Sequence, residues 1–172
     1  MKKIVTSLLI SSITLFALNV GEVPKEVTLS GENGGLVDGS AWNSSMLKGK
    51  VSVLFYVDPD KKGDNDKFID ALHQKQYDRT KYGSVAIINL KATWLPNFAI
   101  EKKLKAKQKE FPHTVYAKDK TKYLVKEWEL ADDSANVLIF DKQGKLLYQH
   151  TGEMSKEDMQ KAFALIEAHL ND

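Results

Sequence analysis

One stretch, Gly49–Asp60, constrains the fold more than any other part of the chain. Its core, Val51–Val57, consists of β-branched, aromatic and aliphatic residues with Ser52 as its single polar member. Such a run is typical of a strand buried on both faces, as in a parallel sheet covered by helices. Ligand sites in open α/β folds lie beyond the carboxyl ends of these strands, so the following loop, Asp58–Asp66, is the predicted site. That loop contains no Cys, Ser or His and no glycine-rich phosphate cradle.

The rest of the pattern alternates between strand and helix periodicity. In chain order it predicts a helix over Asp66–Gln76, a strand over Val85–Leu90, a helix over Ala99–Lys109, a strand over Val115–Ala117, a helix over Tyr123–Trp128, a hairpin of Asn136–Asp141 and Lys145–His150, and a helix from Ser155 to Leu170. Gly31, Gly34 and Gly35 are interpreted as turns. The expected core comprises Val53, Phe55, Ile87, Leu138, Phe140, Phe163 and Ile166.

The amino terminus has the pattern of a secretory signal. Lys2 and Lys3 precede an uncharged apolar run, Ile4–Leu18, which is too short for a typical membrane span of roughly 20 residues. We therefore predict a signal peptide over residues 1–19, a single domain over residues 20–172 and a periplasmic location. A tethering helix is the alternative.

Charge and cysteine content exclude several functional classes. Removing residues 1–19 leaves equal numbers of basic and acidic residues, so nothing indicates nucleic-acid binding. The chain has no cysteine, which rules out disulfides, thiol redox chemistry and Cys-ligated metals. The four histidines lack metal-ligand spacing, and no cofactor is expected.

Two motifs resemble those of known proteins. Gly49–Tyr56 is similar to the opening strand of periplasmic thioredoxin-like proteins, and Leu138–Lys145 resembles their late hairpin. Together with Trp128-Glu129-Leu130 and Ser134-Ala135, they resemble the YtfJ family of exported bacterial proteins. The resemblance implies an α/β fold, a thioredoxin-like three-layer sandwich whose mixed sheet has a parallel βαβ unit followed by an antiparallel ββα unit.

The departures from active thioredoxins concern the redox site. The position of the Cys-x-x-Cys motif falls on Lys61-Lys62-Gly63-Asp64, and that of the cis-proline falls on Ala135. Lys and Asp have no sulfur with which to attack a disulfide, so the redox function is absent. The leading hypothesis is therefore a non-catalytic binding or accessory module whose partner is a periplasmic protein or a small ligand.

Topology predicts where such a partner would bind. The loops Asp58–Asp64, Lys91–Asn97 and Asp132–Ala135 should meet at one end of the sheet, with Trp94 partly exposed as an anchor. The alternative is that Trp94 folds back to cover the core. The candidate binding residues are Asp58, Asp60, Lys61, Asp64, Trp94, Pro96 and Ala135.

Four further interpretations concern charged residues. Acid–base catalysis by Asp58, Asp60 and Asp64 is the main alternative function, and it would require raised pKa values in a concave pocket. The calcium-loop pattern beginning at Asp58 lacks the essential Glu at its last position, so no metal is expected there. Asp132 and Asp133 are candidates for an acid pair, but they are interpreted as loop decoration. A weak contact with anionic membranes is a third possibility, through Lys102, Lys103, Lys105, Lys107 and Lys109.

Overall fold

The computed structural model describes residues 18–171, so most of the predicted signal peptide lies outside the described residues. The strands are β1 (Thr28–Leu29), β2 (Gly34–Leu36), β3 (Trp42–Asn43), β4 (Val51–Val57), β5 (Tyr82–Asn89), β6 (Thr114–Asp119), β7 (Ala135–Phe140) and β8 (Leu146–Thr151). The α-helices are α1 (Asp66–Lys75), α2 (Asn97–Glu110), α3 (Tyr123–Trp128) and α4 (Lys156–Leu170). None of the helices within residues 18–171 combines the length and the hydrophobicity needed to cross a bilayer.

Six strands form one mixed sheet in the order β2-β6-β5-β4-β7-β8. β4, β5 and β6 run parallel, while β7 and β8 form an antiparallel hairpin beside β4. The thioredoxin-like fold predicted from the sequence is confirmed, with the βαβ unit followed by ββα. β6 adds a second parallel crossover through α2, which extends the sheet on the side of β5.

One face of the sheet, here called the closed face, is covered by α3 and the segment that contains β1 and β3. Trp42 and Trp128 meet there edge to face with ring centroids 6.4 Å apart, and Trp128 also packs against Phe140. The indole Nε1 of Trp128 donates to the carbonyl of Lys25 at 2.8 Å. Leu54 and Tyr56 of β4 are fully buried in this layer. Large aromatic groups therefore fill the closed face completely.

The opposite face, here called the open face, carries α1, α4 and α2. Val53 and Phe55 of β4 pack against Phe68 of α1 and Ile166 of α4. α2 sits farther along, and only Ile100 and Leu104 of that helix are buried. Helices therefore cover this face unevenly.

Two expectations are corrected by the structure. Phe163 is half-buried, because α4 turns Ala162 and Ile166 toward the sheet and leaves Phe163 at its edge against Phe68. Gly34 and Gly35 belong to β2, which pairs with β6, and do not form an isolated turn. A Cβ on Gly34 would lie 1.9 Å from the carbonyl oxygen of Lys118, so this close strand approach requires glycine.

Candidate functional site

The three predicted loops meet at the carboxyl end of β4 and β5. The amide of Asp58 donates to the carbonyl of Ser134 at 3.1 Å, which joins the first loop to the segment before β7. Asn89, the last residue of β5, donates from Nδ2 to Oδ1 of Asp132 at 3.4 Å. Because β7 begins opposite the end of β4, with Ala135 paired to Val57, these side chains collect in one place.

Asp58 is the most unusual side chain at this end of the sheet. It is 2% exposed, and its Oδ2 accepts the Ser134 amide at 2.9 Å. Its Oδ1 has no hydrogen-bond partner among residues 18–171. Burial raises the pKa of the Asp58 carboxyl above its ordinary value; the Asn89 side chain and the Ser134 amide oppose this rise, and the carboxylates of Asp132 and Asp133 add to it.

Two exposed carboxylates face Asp58 from the loop before β7. One carboxylate oxygen each from Asp58, Asp132 and Asp133 lies within 4.8 Å of the others. Lys122 pairs with Asp132, and this hydrogen bond raises the pKa of the lysine ammonium. Three carboxylates and one ammonium from three different segments therefore lie close together here.

Buried polar groups hold the loop before β7 in one conformation. The side chain of Asn136 accepts from the Ala131 amide at 3.1 Å and donates to the Ala131 carbonyl at 2.8 Å. Asp133 adopts a left-handed backbone conformation with φ of 52°, which tightens the turn. The acidic pair is therefore fixed in position relative to Asp58.

The other residues predicted for the site spread over the same end of the sheet without forming one pocket. Ala135 is buried at the start of β7, and no cis peptide bond occurs within residues 18–171. Asp60 and Lys61 are exposed, and Asp64 is half-buried. Asp60 and Asp64 therefore do not share the buried surroundings of Asp58.

Trp94 and Pro96 are exposed in the loop that precedes α2. The Trp94 side chain is 86% exposed, and Phe98 on the first turn of α2 is 74% exposed. Leu95 between them turns inward. This loop therefore presents two large apolar side chains to solvent.

A cavity of about 720 Å³ lies on the open face between α1 and α2. The side chains that β5 directs into it are Tyr82, Ser84, Ala86 and Ile88, of which Ser84 and Ala86 are small. Two of the predicted loops reach it, through Pro59 on one side and Leu95 on the other. The remaining apolar lining consists of Phe55, Val57, Ile69, Leu72, Ile100, Leu104, Ala106, Phe111 and Tyr116.

Charged and aromatic groups border this cavity. His73 at the end of α1 stacks on Phe111, with centroids 4.8 Å apart, and closes one side. Arg79 lies over the ring of Tyr82, and Lys107 pairs with Glu110. The other charged lining residues are Lys62, Asp66, Asp70 and Lys103. The lining is thus mainly apolar with charges of both signs.

Sequence reasoning missed two features of this region. Asp132 and Asp133 were interpreted as loop decoration, and the contribution of Lys122 was not recognised. The parallel and antiparallel neighbours of β4 bring all three residues to Asp58, so the signal lay in the topology and not in a local motif. The cavity could have been suspected from Ser84 and Ala86, which alternate with Val85 and Ile87 along β5.

A family model described as a bacterial protein of unknown function, YtfJ_HI0045, matches residues 19–169. The uncharacterized protein YtfJ of Escherichia coli (strain K12) is 25% identical over 130 residues, covering 73% of this chain and 70% of that protein. An uncharacterized protein of Haemophilus influenzae (strain ATCC 51907 / DSM 11121 / KW20 / Rd) is 25% identical over 144 residues, covering 82% of this chain and 77% of that protein.

Solved structures show the same fold at lower identity. A thiol-disulfide isomerase from Corynebacterium glutamicum aligns with a TM-score of 0.59 and 15% identity, covering 85% of this chain and 97% of that chain. The exposed lipoprotein thioredoxin Etrx1 of Streptococcus pneumoniae strain TIGR4 aligns with a TM-score of 0.54 and 16% identity, covering 82% and 99%. The fold is thioredoxin-like, and the chain belongs to the YtfJ_HI0045 family.

Proposed function

We propose that this member of the YtfJ family is an exported, non-catalytic binding module that holds a small apolar ligand in the cavity of the open face. The chain contains no cysteine, so the thiolate chemistry of active thioredoxins is excluded. Without this chemistry, the scaffold acts by binding a partner or a ligand. Residues 1–19, with their charged start and short apolar run, support export.

The observation that carries this proposal is the cavity between α1 and α2. Its volume, about 720 Å³, falls within the range of about 300–1,000 Å³ typical of small-molecule sites. The space is open to solvent on one side, so apolar side chains such as Ala86 and Ile88 are only partly buried. Binding an apolar molecule would remove more of this apolar surface from water, which is favourable.

The lining also indicates the chemistry of the ligand. Aliphatic and aromatic groups dominate the interior, whereas Lys62, Arg79 and Lys103 stand among the lining charges. An amphiphile with one apolar tail and one acidic head would place the tail beside Ala86 and the head near a cation. A fatty acid is the simplest molecule of this class.

A fluorescent fatty acid, cis-parinaric acid, tests the proposal directly. We expect saturable fluorescence enhancement with the full chain and displacement by palmitate. Ala86→Leu, which places a larger side chain in the cavity, should weaken binding about tenfold, because lost apolar contact and occupied volume both oppose the ligand. Ala168→Leu makes the same change at an exposed position of α4 and should leave binding unchanged.

The outcome is decisive in either direction. Absence of saturable binding, or equal binding by Ala86→Leu and the wild type, would contradict a ligand in this cavity. The location is tested separately by mass spectrometry of protein isolated from a periplasmic fraction, where residues 1–19 should be missing. An intact Met1 in the membrane fraction would instead indicate a tether.

The lysines of α2 favour a second candidate, contact with an anionic membrane. Lys102, Lys103, Lys105, Lys107 and Lys109 are all exposed on this helix. Each lysine near an anionic surface contributes about 1 kcal/mol. Sedimentation with phosphatidylglycerol vesicles should therefore show binding that disappears at high salt, since screening weakens attraction between exposed charges. Binding that resists salt would contradict it.

A further inference from the structure

The carboxylates of Asp58, Asp132 and Asp133 form a cluster separate from the cavity of the open face. Two hydrogen bonds between Asp58 and Ser134, at 3.1 and 2.9 Å, join the strand end to the acidic loop. The Asn136 side chain hydrogen-bonds to both the amide and the carbonyl of Ala131, so the loop is held in place without a ligand. One oxygen from each carboxylate lies within 4.8 Å of the others.

The buried member of the cluster is not satisfied by the protein. Asp58 is 2% exposed, and its Oδ1 has no donor within the part of the chain that the structure describes. A buried carboxylate oxygen without a partner is unfavourable, because it loses water and gains nothing in exchange. Asp119, also buried, accepts from Tyr56 Oη and from the amides of Thr121, Tyr123 and Leu124. The fold can therefore satisfy both oxygens of a buried carboxylate, whereas at Asp58 the Ser134 amide reaches Oδ2 and Oδ1 makes no hydrogen bond within residues 18–171.

The charge balance of the cluster is equally incomplete. Three carboxylates stand together, and within residues 18–171 Lys122 provides the one ion pair made to them, through Asp132. When all three are ionised, two negative charges remain. A divalent cation would neutralise them and could bind one carboxylate oxygen from each of the three residues.

We propose that Asp58, Asp132 and Asp133 bind one divalent cation of the calcium type. All donors are carboxylate oxygens, which hard cations prefer, and calcium accepts irregular sets of oxygens completed by water. Two ligands of one calcium ion, each at about 2.4 Å, are at most about 4.8 Å apart, which accommodates the observed spacing. The acidic residues come from two loops and not from the linear pattern that begins at Asp58.

Calorimetric titration of the metal-free full chain with calcium chloride tests the site. We expect one ion per chain with a dissociation constant of about 10⁻⁴–10⁻³ M, the range of extracellular calcium modules. Asp133→Asn removes the negative charge of an exposed ligand without disturbing the core and should weaken affinity about tenfold or more, since affinity follows ligand charge. Asp60→Asn, an exposed carboxylate of the neighbouring loop outside the cluster, is the matched control and should bind as the wild type does.

A second variant examines the role of the lysine. Lys122→Met removes the cation that competes for Asp132 and should tighten calcium binding, whereas Lys126→Met, on the exposed side of α3, should not. The same calcium concentration should also raise the Tm of the wild type more than that of Asp133→Asn. No binding up to about 10 mM, tenfold above the weakest affinities of this class, would overturn the proposal. Unchanged affinity in Asp133→Asn would overturn it equally.

Discussion

The closed and open faces of the same sheet are filled very differently. Along β5, Val85 and Ile87 pack into the closed face, while Ser84 and Ala86 face the cavity of about 720 Å³ on the open face. Trp42 and Trp128 complete the closed layer. The open face has a packed core of its own around Phe68 and Ile166, so the difference is confined to the part beside β5, where α1 and α2 leave room for a ligand.

The largest expected effect comes from one substitution made on both faces. Leu124→Ala should lower the free energy of unfolding by about 3–5 kcal/mol, because Leu124 is fully buried among close neighbours on the closed face. Leu104→Ala should cost about 2 kcal/mol or less, since Leu104 already borders empty space and loses fewer contacts. Urea unfolding of both variants measures the difference. Equal losses would mean that the two faces are packed alike.

A buried carboxylate on the closed face provides the next test. Asp119 accepts four hydrogen bonds, three of them from amides at the start of α3. Asp119→Asn should cost about 2–3 kcal/mol, because the amide NH₂ would face donors and leave them unpaired. The measurement is the urea midpoint at neutral pH. A loss below about 1 kcal/mol would show that α3 does not depend on this cap.

Features of the two faces that follow from local sequence were predicted, whereas features set by contacts between residues far apart in the sequence were not. The burial of β4 on both faces follows from Val51–Val57 alone, and the parallel and antiparallel neighbours follow from the order of elements. The predicted burial of Phe163 was wrong because hydrophobic periodicity leaves the rotation of a helix about its axis uncertain by about one residue. Packing of Phe163 against Phe68 fixes this rotation in the structure. β2 was missed because glycine signals a turn, although here it permits a close approach to β6.

The candidate site was predictable in place but not in composition. The carboxyl end of β4 was chosen from topology, and the loops of Asp58, Asn89 and Asp132 do meet there. Which donors reach each side chain depends on contacts between residues far apart in the sequence. The amide of Ser134, for example, donates a hydrogen bond to Asp58, which lies 76 positions earlier. No local motif encodes such contacts.

A smaller effect is expected from enlarging one alanine on each face. Ala117 is buried on the closed face beside Ile87, so Ala117→Leu should destabilise by about 1–3 kcal/mol through overpacking. Ala86→Leu enters the cavity and should change stability by less than about 1 kcal/mol, or increase it. Thermal unfolding of both variants decides the question. Strong destabilisation by Ala86→Leu would show that the cavity cannot accept a side chain.

The smallest effect concerns Asp58, the buried carboxylate that contrasts with Asp119. Burial raises the pKa of Asp58 in the folded protein, with the Asp132 and Asp133 carboxylates adding to the rise, so the folded state holds its proton more tightly than the unfolded chain does. The stability contributed by this group is therefore complete below the unfolded pKa, and it is lost as the pH rises through the raised folded pKa.

The neutral amide of Asp58→Asn does not titrate, while its oxygen can still accept the Ser134 amide. With a chelator present, the variant should equal or exceed the wild type at neutral pH, by no more than about 1 kcal/mol. Urea unfolding between pH 4 and pH 8 checks this. A large loss of stability in Asp58→Asn would mean that Asp58 is satisfied as Asp119 is, and that the contrast between the two carboxylates is wrong.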